Sequence, residues 1–75
     1  MGEGMFAKQL KETLQTVNKT KLAEAVGCSR DSIVKWQAGV RYPSVKNLMR
    51  ICIYLYPDEW ERAFLHFAVL IEAEE

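Results

Sequence analysis

The sequence predicts an all-α fold of five helices, and three observations predict it. Apolar residues recur at three- and four-residue spacing through most of the 75-residue chain, the period of a helix with one buried face. No stretch alternates apolar and polar residues as a half-buried strand does. Asn18, Ser29, Ser44 and Asp58 each precede such an apolar-periodic segment, and Gly27, Gly39 and Pro57 each follow one. Those are the residue types that start and stop helices.

The elements follow in order. Phe6, Leu10, Leu14 and Val17 share one face of a first helix, about Met5 to Thr16, with Lys8, Lys11 and Glu12 facing outward. Asn18 caps a second helix, Lys19 to Val26, whose inward residues are Leu22, Ala23 and Val26. Gly27 ends it in the left-handed conformation that glycine adopts without strain. Ser29 caps a third helix, Arg30 to Ala38, with Asp31 favourable in its first turn and with Ile33 and Trp36 inward. Gly39 closes it, and Arg41-Tyr42-Pro43 is an extended connector because proline disfavours a helical residue before it. Ser44 caps a fourth helix, about Val45 to Tyr54, with Val45, Leu48, Ile51, Cys52 and Leu55 as its buried stripe. Pro57 breaks the chain, and Asp58 with Glu61 forms a D-x-x-E capping box for a fifth helix, Glu59 to about Ala73.

The fifth helix differs from the rest. Trp60, Phe64, Phe67 and Ile71 make one apolar face, and Leu65, Ala68, Val69 and Leu70 widen it nearly all round. A helix apolar on all sides is a buried helix. In so short a chain the second face is expected to meet another copy, through Leu65, Phe67, Ala68 and Val69. Alternatively, the C-terminus folds back over the domain.

Composition sets the bounds. The length suits one small domain spanning residues 1–75. A hydrophobic fraction of 49% is high for that size and also points to surface buried in an oligomer. Formal net charge is zero, but its distribution is uneven. Residues 1–50 hold nine Lys/Arg against four Asp/Glu, a net +5, whereas residues 51–75 hold one Arg against six acids, a net −5. A basic half is the electrostatic footprint of nucleic-acid binding. The N-terminal MGEGMFAKQL lacks the apolar stretch of a signal peptide, and no apolar run approaches the ~20 residues of a membrane span. A cytoplasmic location with Cys28 and Cys52 reduced is therefore expected.

The segment Leu22 to Pro43 then carries the functional argument. Two short helices around a glycine turn have no room for a catalytic pocket, but they can form a helix-turn-helix (about residues 19–38), which lays its second helix in the major groove of DNA. Small Ala23 allows the two helices to cross closely, Gly27 permits the sharp turn, and Ile33 pins the second to the core. Leu22-Ala23, Gly27, Ser29-x-x-x-Ile33, Gly39 and Pro43, at these spacings, resemble the Cro/repressor (Xre-type) helix-turn-helix family. The resemblance covers Asn18 to Leu55, about half the chain. It implies a lambda-repressor-like domain that binds double-stranded DNA, in which the positions that read bases are Arg30, Asp31, Val34 and Lys35.

Their chemistry suits that role. Arg30 can hold guanine O6 and N7 with two donors, and Asp31 can accept from cytosine N4 or orient Arg30. Lys35 can reach a guanine or a phosphate, and Val34 a thymine methyl. Asn18, Lys19 and Thr20 stand at one helix N-terminus and Ser29 at another, where backbone N–H groups and the dipole favour a phosphate. Arg41, Tyr42 and Lys46 are further phosphate contacts on the far side. Tyr42 has packing against Pro43 as its alternative. The chain departs from the family in having Lys19 where Gln is frequent and Gln37 where an acid is frequent, and Trp36 is better suited to plugging the core than to touching DNA.

An enzyme is not expected. His66 is the only histidine and lies in an apolar stretch, where a structural or interfacial role fits best. Cys28, Cys52 and His66 lack metal-ligand spacing, and no glycine-rich phosphate loop exists, so no cofactor or metal is expected. The expected function is that of a small phage or bacterial transcriptional repressor, a homodimer on a near-palindromic operator. The competing reading is a protein-interaction module, antitoxin- or antirepressor-like, whose partner is a protein held by the fifth helix.

Overall fold

Local capping sets most of the architecture. The computed structural model describes residues 4–74, so the ends of the expected domain, residues 1–3 and 75, lie outside the described residues. Five helices follow one another: α1 Met5–Thr13, α2 Lys19–Val26, α3 Arg30–Gln37, α4 Val45–Leu55 and α5 Trp60–Glu74. No strand occurs among the described residues.

Three of the expected caps form as read. Asn18 Oδ1 accepts the Lys21 N–H at 3.0 Å, Ser29 Oγ that of Ser32 at 3.1 Å, and Ser44 Oγ that of Asn47 at 3.2 Å. Each satisfies one N–H that the first turn of a helix leaves without a partner. Gly27 ends α2 with φ of 84°, and its N–H bonds the Ala23 carbonyl at 2.8 Å. Gly39 likewise turns the chain after α3 at φ of 78°.

The helix ends differ in places from the sequence expectation. α1 stops at Thr13 rather than Thr16, because Leu14 leaves helical geometry and the Val17 N–H bonds back to the Leu14 carbonyl at 3.1 Å. That tight turn lets Asn18 start α2. α4 runs one residue longer than expected, to Leu55. α5 begins at Trp60, after a turn closed by the Glu59 N–H on the Tyr56 carbonyl at 3.0 Å. No capping hydrogen bond from Asp58 or Glu61 forms among the described residues, and Glu59 makes a surface ion pair with Arg62 at 3.6 Å.

One hydrophobic cluster draws on all five helices. α1 gives Phe6 and Leu10, with Leu14 at its end; α2 gives Leu22, Ala23 and Val26; α3 gives Ile33 and Trp36. α4 gives Leu48, Ile51 and Cys52, and α5 gives Phe67. Val45, expected in the stripe of α4, is instead exposed. As the first residue of the helix it lies beyond the edge of the core.

Phe67 also departs from expectation. It is buried, with its ring edge-on to Phe6 at a centroid distance of 5.8 Å, so it belongs to the core and not to an outer face of α5. Ala68 is half-buried against the same cluster. Leu65 and Val69, four residues apart, remain exposed at 64% and 56%. No helix among the described residues is long and apolar enough to cross a membrane.

Candidate nucleic-acid interface

α3 is held from behind and open in front. Ile33 and Trp36, three residues apart and both buried, fix one face of the helix to the core. The residues on the opposite side of the helix, at 30, 31, 34 and 35, then point outward. Arg30 and Asp31 are exposed in the first turn, and Val34 and Lys35 follow one turn on, at least partly exposed. The four expected base-reading residues therefore share the open face of α3. Asp31 and Lys35 form an ion pair across that turn at 3.1 Å. The pair is solvent-exposed, so its main effect is to hold both side chains in place rather than to stabilise the helix. Arg30 carries the uncompensated positive charge of the face.

The turn before α3 is three residues, Gly27, Cys28 and Ser29. The Cys28 N–H bonds the Ala23 carbonyl at 3.0 Å, and its half-buried side chain packs on the core. Burial raises the Cys28 thiol above its ordinary pKa, so it is a packing residue with little thiolate at neutral pH.

The expected phosphate contacts divide into groups. Asn18 and Ser29 have their side-chain oxygens engaged in capping their own helices, which leaves backbone N–H groups of the first turns as the donors at those two ends. Lys19 and Thr20 stand at the start of α2, with Lys19 half-buried. Arg41 and Lys46 are exposed on either side of Pro43, beyond the far end of α3. Tyr42 is used differently. Its hydroxyl donates to Glu74 Oε1 at 2.6 Å, and its ring lies 5.7 Å from that of Phe6. The connector after α3 is thus anchored to α1 and to the end of α5.

Two anchoring residues escaped the sequence reading. Glu74 also accepts the Phe6 N–H, at 2.6 Å through Oε2, and so caps α1 from 68 residues away. The N-cap residue of α1 itself, Gly4, has no side chain to do so. Arg50 donates to the Val26 carbonyl at 3.1 Å and stabilises the exposed carbonyl end of α2 just before the turn. Neither has a local signature, since each acts on a segment distant in sequence. His66, expected to be structural or interfacial, shares a hydrogen bond with Gln9 at 2.9 Å and stacks edge-on to Phe67.

No protein-family profile, curated protein or solved structure matches this chain.

Proposed function

We propose that this chain is a sequence-specific double-stranded DNA-binding regulator, built as a lambda-repressor-like helix-turn-helix domain and acting as a homodimer. One observation carries the reading: α3 follows a three-residue turn, is pinned by Ile33 and Trp36, and turns Arg30, Asp31, Val34 and Lys35 outward together. In this reading α3 enters the major groove. Arg30 reads guanine, and the N-termini of α2 and α3, with Lys19, Arg41 and Lys46, grip phosphates. Regulation is by occupancy, the bound dimer excluding polymerase.

The dimer rests on Leu65 and Val69, two exposed aliphatic side chains one turn apart on α5, with half-buried Ala68 beside them. The chain measures 31 × 25 × 21 Å, so two copies side by side have centres 21–31 Å apart, depending on the axis along which they pack. The upper end of that range approaches the ~34 Å between half-sites one helical turn apart.

Selection of binding sites from random duplex DNA tests the reading. The expected result is a near-palindromic site whose affinity falls steeply with salt, because each phosphate contact releases counterions. No enriched site would sink it. The second reading, a protein-interaction module, is favoured by the same exposed Leu65 and Val69. Under it, removing the charges of Arg30 and Lys35 leaves binding of the partner intact.

A further inference from the structure

Asp31 and Lys35 lie four residues apart on the open face of α3, with Asp31 Oδ2 and Lys35 Nζ 3.1 Å apart. We infer that these two side chains read one G·C base pair as a single unit, the carboxylate accepting from cytosine N4 and the ammonium donating to guanine O6 and N7. The inference deepens the DNA-binding reading above and rests on it.

Distance decides that one base pair is read and not two. Four residues of helix rise ~6 Å, and base pairs along a duplex repeat every ~3.4 Å. Side chains at that separation, acting independently, reach different base pairs. The ion pair closes the gap between the charged atoms to 3.1 Å, less than one base step. That spacing matches the ~2.9 Å between a hydrogen-bonded nitrogen and oxygen, which is how cytosine N4 and guanine O6 are joined within one pair. The arrangement is built into α3. Asp31 stands in its first turn and Lys35 in its last, each where the helix dipole favours its charge. Arg30, adjacent to Asp31 in sequence, does not face it, and so serves a neighbouring base pair.

The hydrogen-bonding pattern then selects the pair. With one N–H of Lys35 on Asp31 Oδ2, the ammonium has two further donors and the carboxylate a second oxygen, Oδ1. The unit thus presents two donors beside one acceptor. In the major groove a G·C pair offers the complement, two acceptors (N7 and O6) beside one donor (N4). An A·T pair places its donor, N6, between the acceptors N7 and O4, so one donor of the unit goes unmet. The ammonium also cancels the charge of a carboxylate that the phosphates lining the groove would otherwise repel. Both side chains are open to such a partner, exposed at 71% for Asp31 and 42% for Lys35.

The test is base preference, position by position. On the site selected by the wild-type chain, every single-base-pair variant is titrated with wild type, Asp31→Ala, Lys35→Met and the double variant. A pair that serves only the helix would alter stability and leave base preferences in place. Joint reading predicts that both single variants lose preference at the same G·C position, by on the order of 10–100-fold. The double variant should lose no more there than either single one. Losses that add, losses at two different positions, an effect from only one of the two residues, or uniform weakening on all sequences would overturn the joint reading and leave DNA binding standing. A wild-type chain that enriches no site overturns both.

Discussion

Replacing Glu74 by alanine tests how the two ends of the chain are joined. The Glu74 carboxylate takes the Phe6 N–H at 2.6 Å and the Tyr42 hydroxyl at 2.6 Å. The first bond replaces an N-cap that Gly4 cannot supply, and losing a cap costs about 1 kcal/mol, with a range of 0.5–2. The negative charge at the positive end of α1 adds roughly 0.3–1 kcal/mol. The Tyr42 bond is solvent-exposed and adds about 0.5–1 kcal/mol. Regained side-chain freedom offsets part of this, leaving a net loss of about 2 kcal/mol. In a domain of this size that lowers Tm by roughly 8–16 °C. Urea and thermal unfolding should be compared at one protein concentration, because a dimer of the proposed kind would make stability concentration-dependent. Glu74→Gln keeps an acceptor oxygen and should fall between wild type and alanine. A double-mutant cycle with Tyr42→Phe isolates the second bond and should give a coupling of about 0.5–1 kcal/mol. Gly4→Ala should act in the same direction, since a Cβ there collides with the Glu74 carboxylate. Glu74→Ala with wild-type stability, within about 0.3 kcal/mol, would refute the clamp, being less than either of its two hydrogen bonds alone.

The other expectations concern α5, the turn and the buried thiol. If α5 forms the proposed dimer, Leu65→Asp or Val69→Asp should leave the fold intact and halve the mass by light scattering, whereas Phe67→Ala should cost about 3–5 kcal/mol as a core truncation. An unchanged mass in both aspartate variants would remove α5 as the dimer contact. Gly27→Ala should lose about 1 kcal/mol or more in urea unfolding, because φ is 84° there and a Cβ would lie 3.4 Å from the Arg50 guanidinium. Burial pushes the Cys52 thiol up to about 11 from 9.0. The unfolded chain therefore ionises at lower pH than the folded one, and this contribution, complete below pH 9, is lost as pH rises towards 11. Cys52→Val should flatten that alkaline decline, and iodoacetamide at pH ~8 should label Cys28 before Cys52.

Where structure depends on neighbours in sequence, it was legible. Asn18, Ser29 and Ser44 start helices, and Gly27 and Gly39 turn the chain, because capping and left-handed backbone are settled within four residues. The inward face of α3 was legible for the same reason, since Ile33 and Trp36 leave one phase of burial. On α5 the phase was not fixed. Apolar side chains on nearly every side allow several faces to pack, and the edge-on contact of Phe67 with Phe6 decides the matter from 61 residues away. Glu74 and Arg50 were invisible for the related reason that a capping carboxylate or guanidinium from another helix looks like a surface charge.

α5 consequently has three separate tasks. Phe67 completes the core, Leu65 and Val69 offer an outer aliphatic face, and Glu74 holds both α1 and the connector that follows α3. A dimer that reads half-sites ~34 Å apart needs a fixed relation between the helix that dimerises and the helix that reads, since slack between them would smear the spacing. Under the DNA-binding reading those helices are α5 and α3, and the route between α5 and α3 is short and made of packed or bonded groups. It runs from the end of α5 through the Glu74 carboxylate to Tyr42, and from Tyr42 three residues back to Gly39 at the end of α3. Ring contacts reinforce it, Tyr42 on Phe6 and Phe6 on Phe67. Under the DNA-binding reading, cutting the link at Glu74 should therefore do more than reduce stability. It should broaden the half-site spacing that the dimer accepts, at temperatures where the variant is still fully folded.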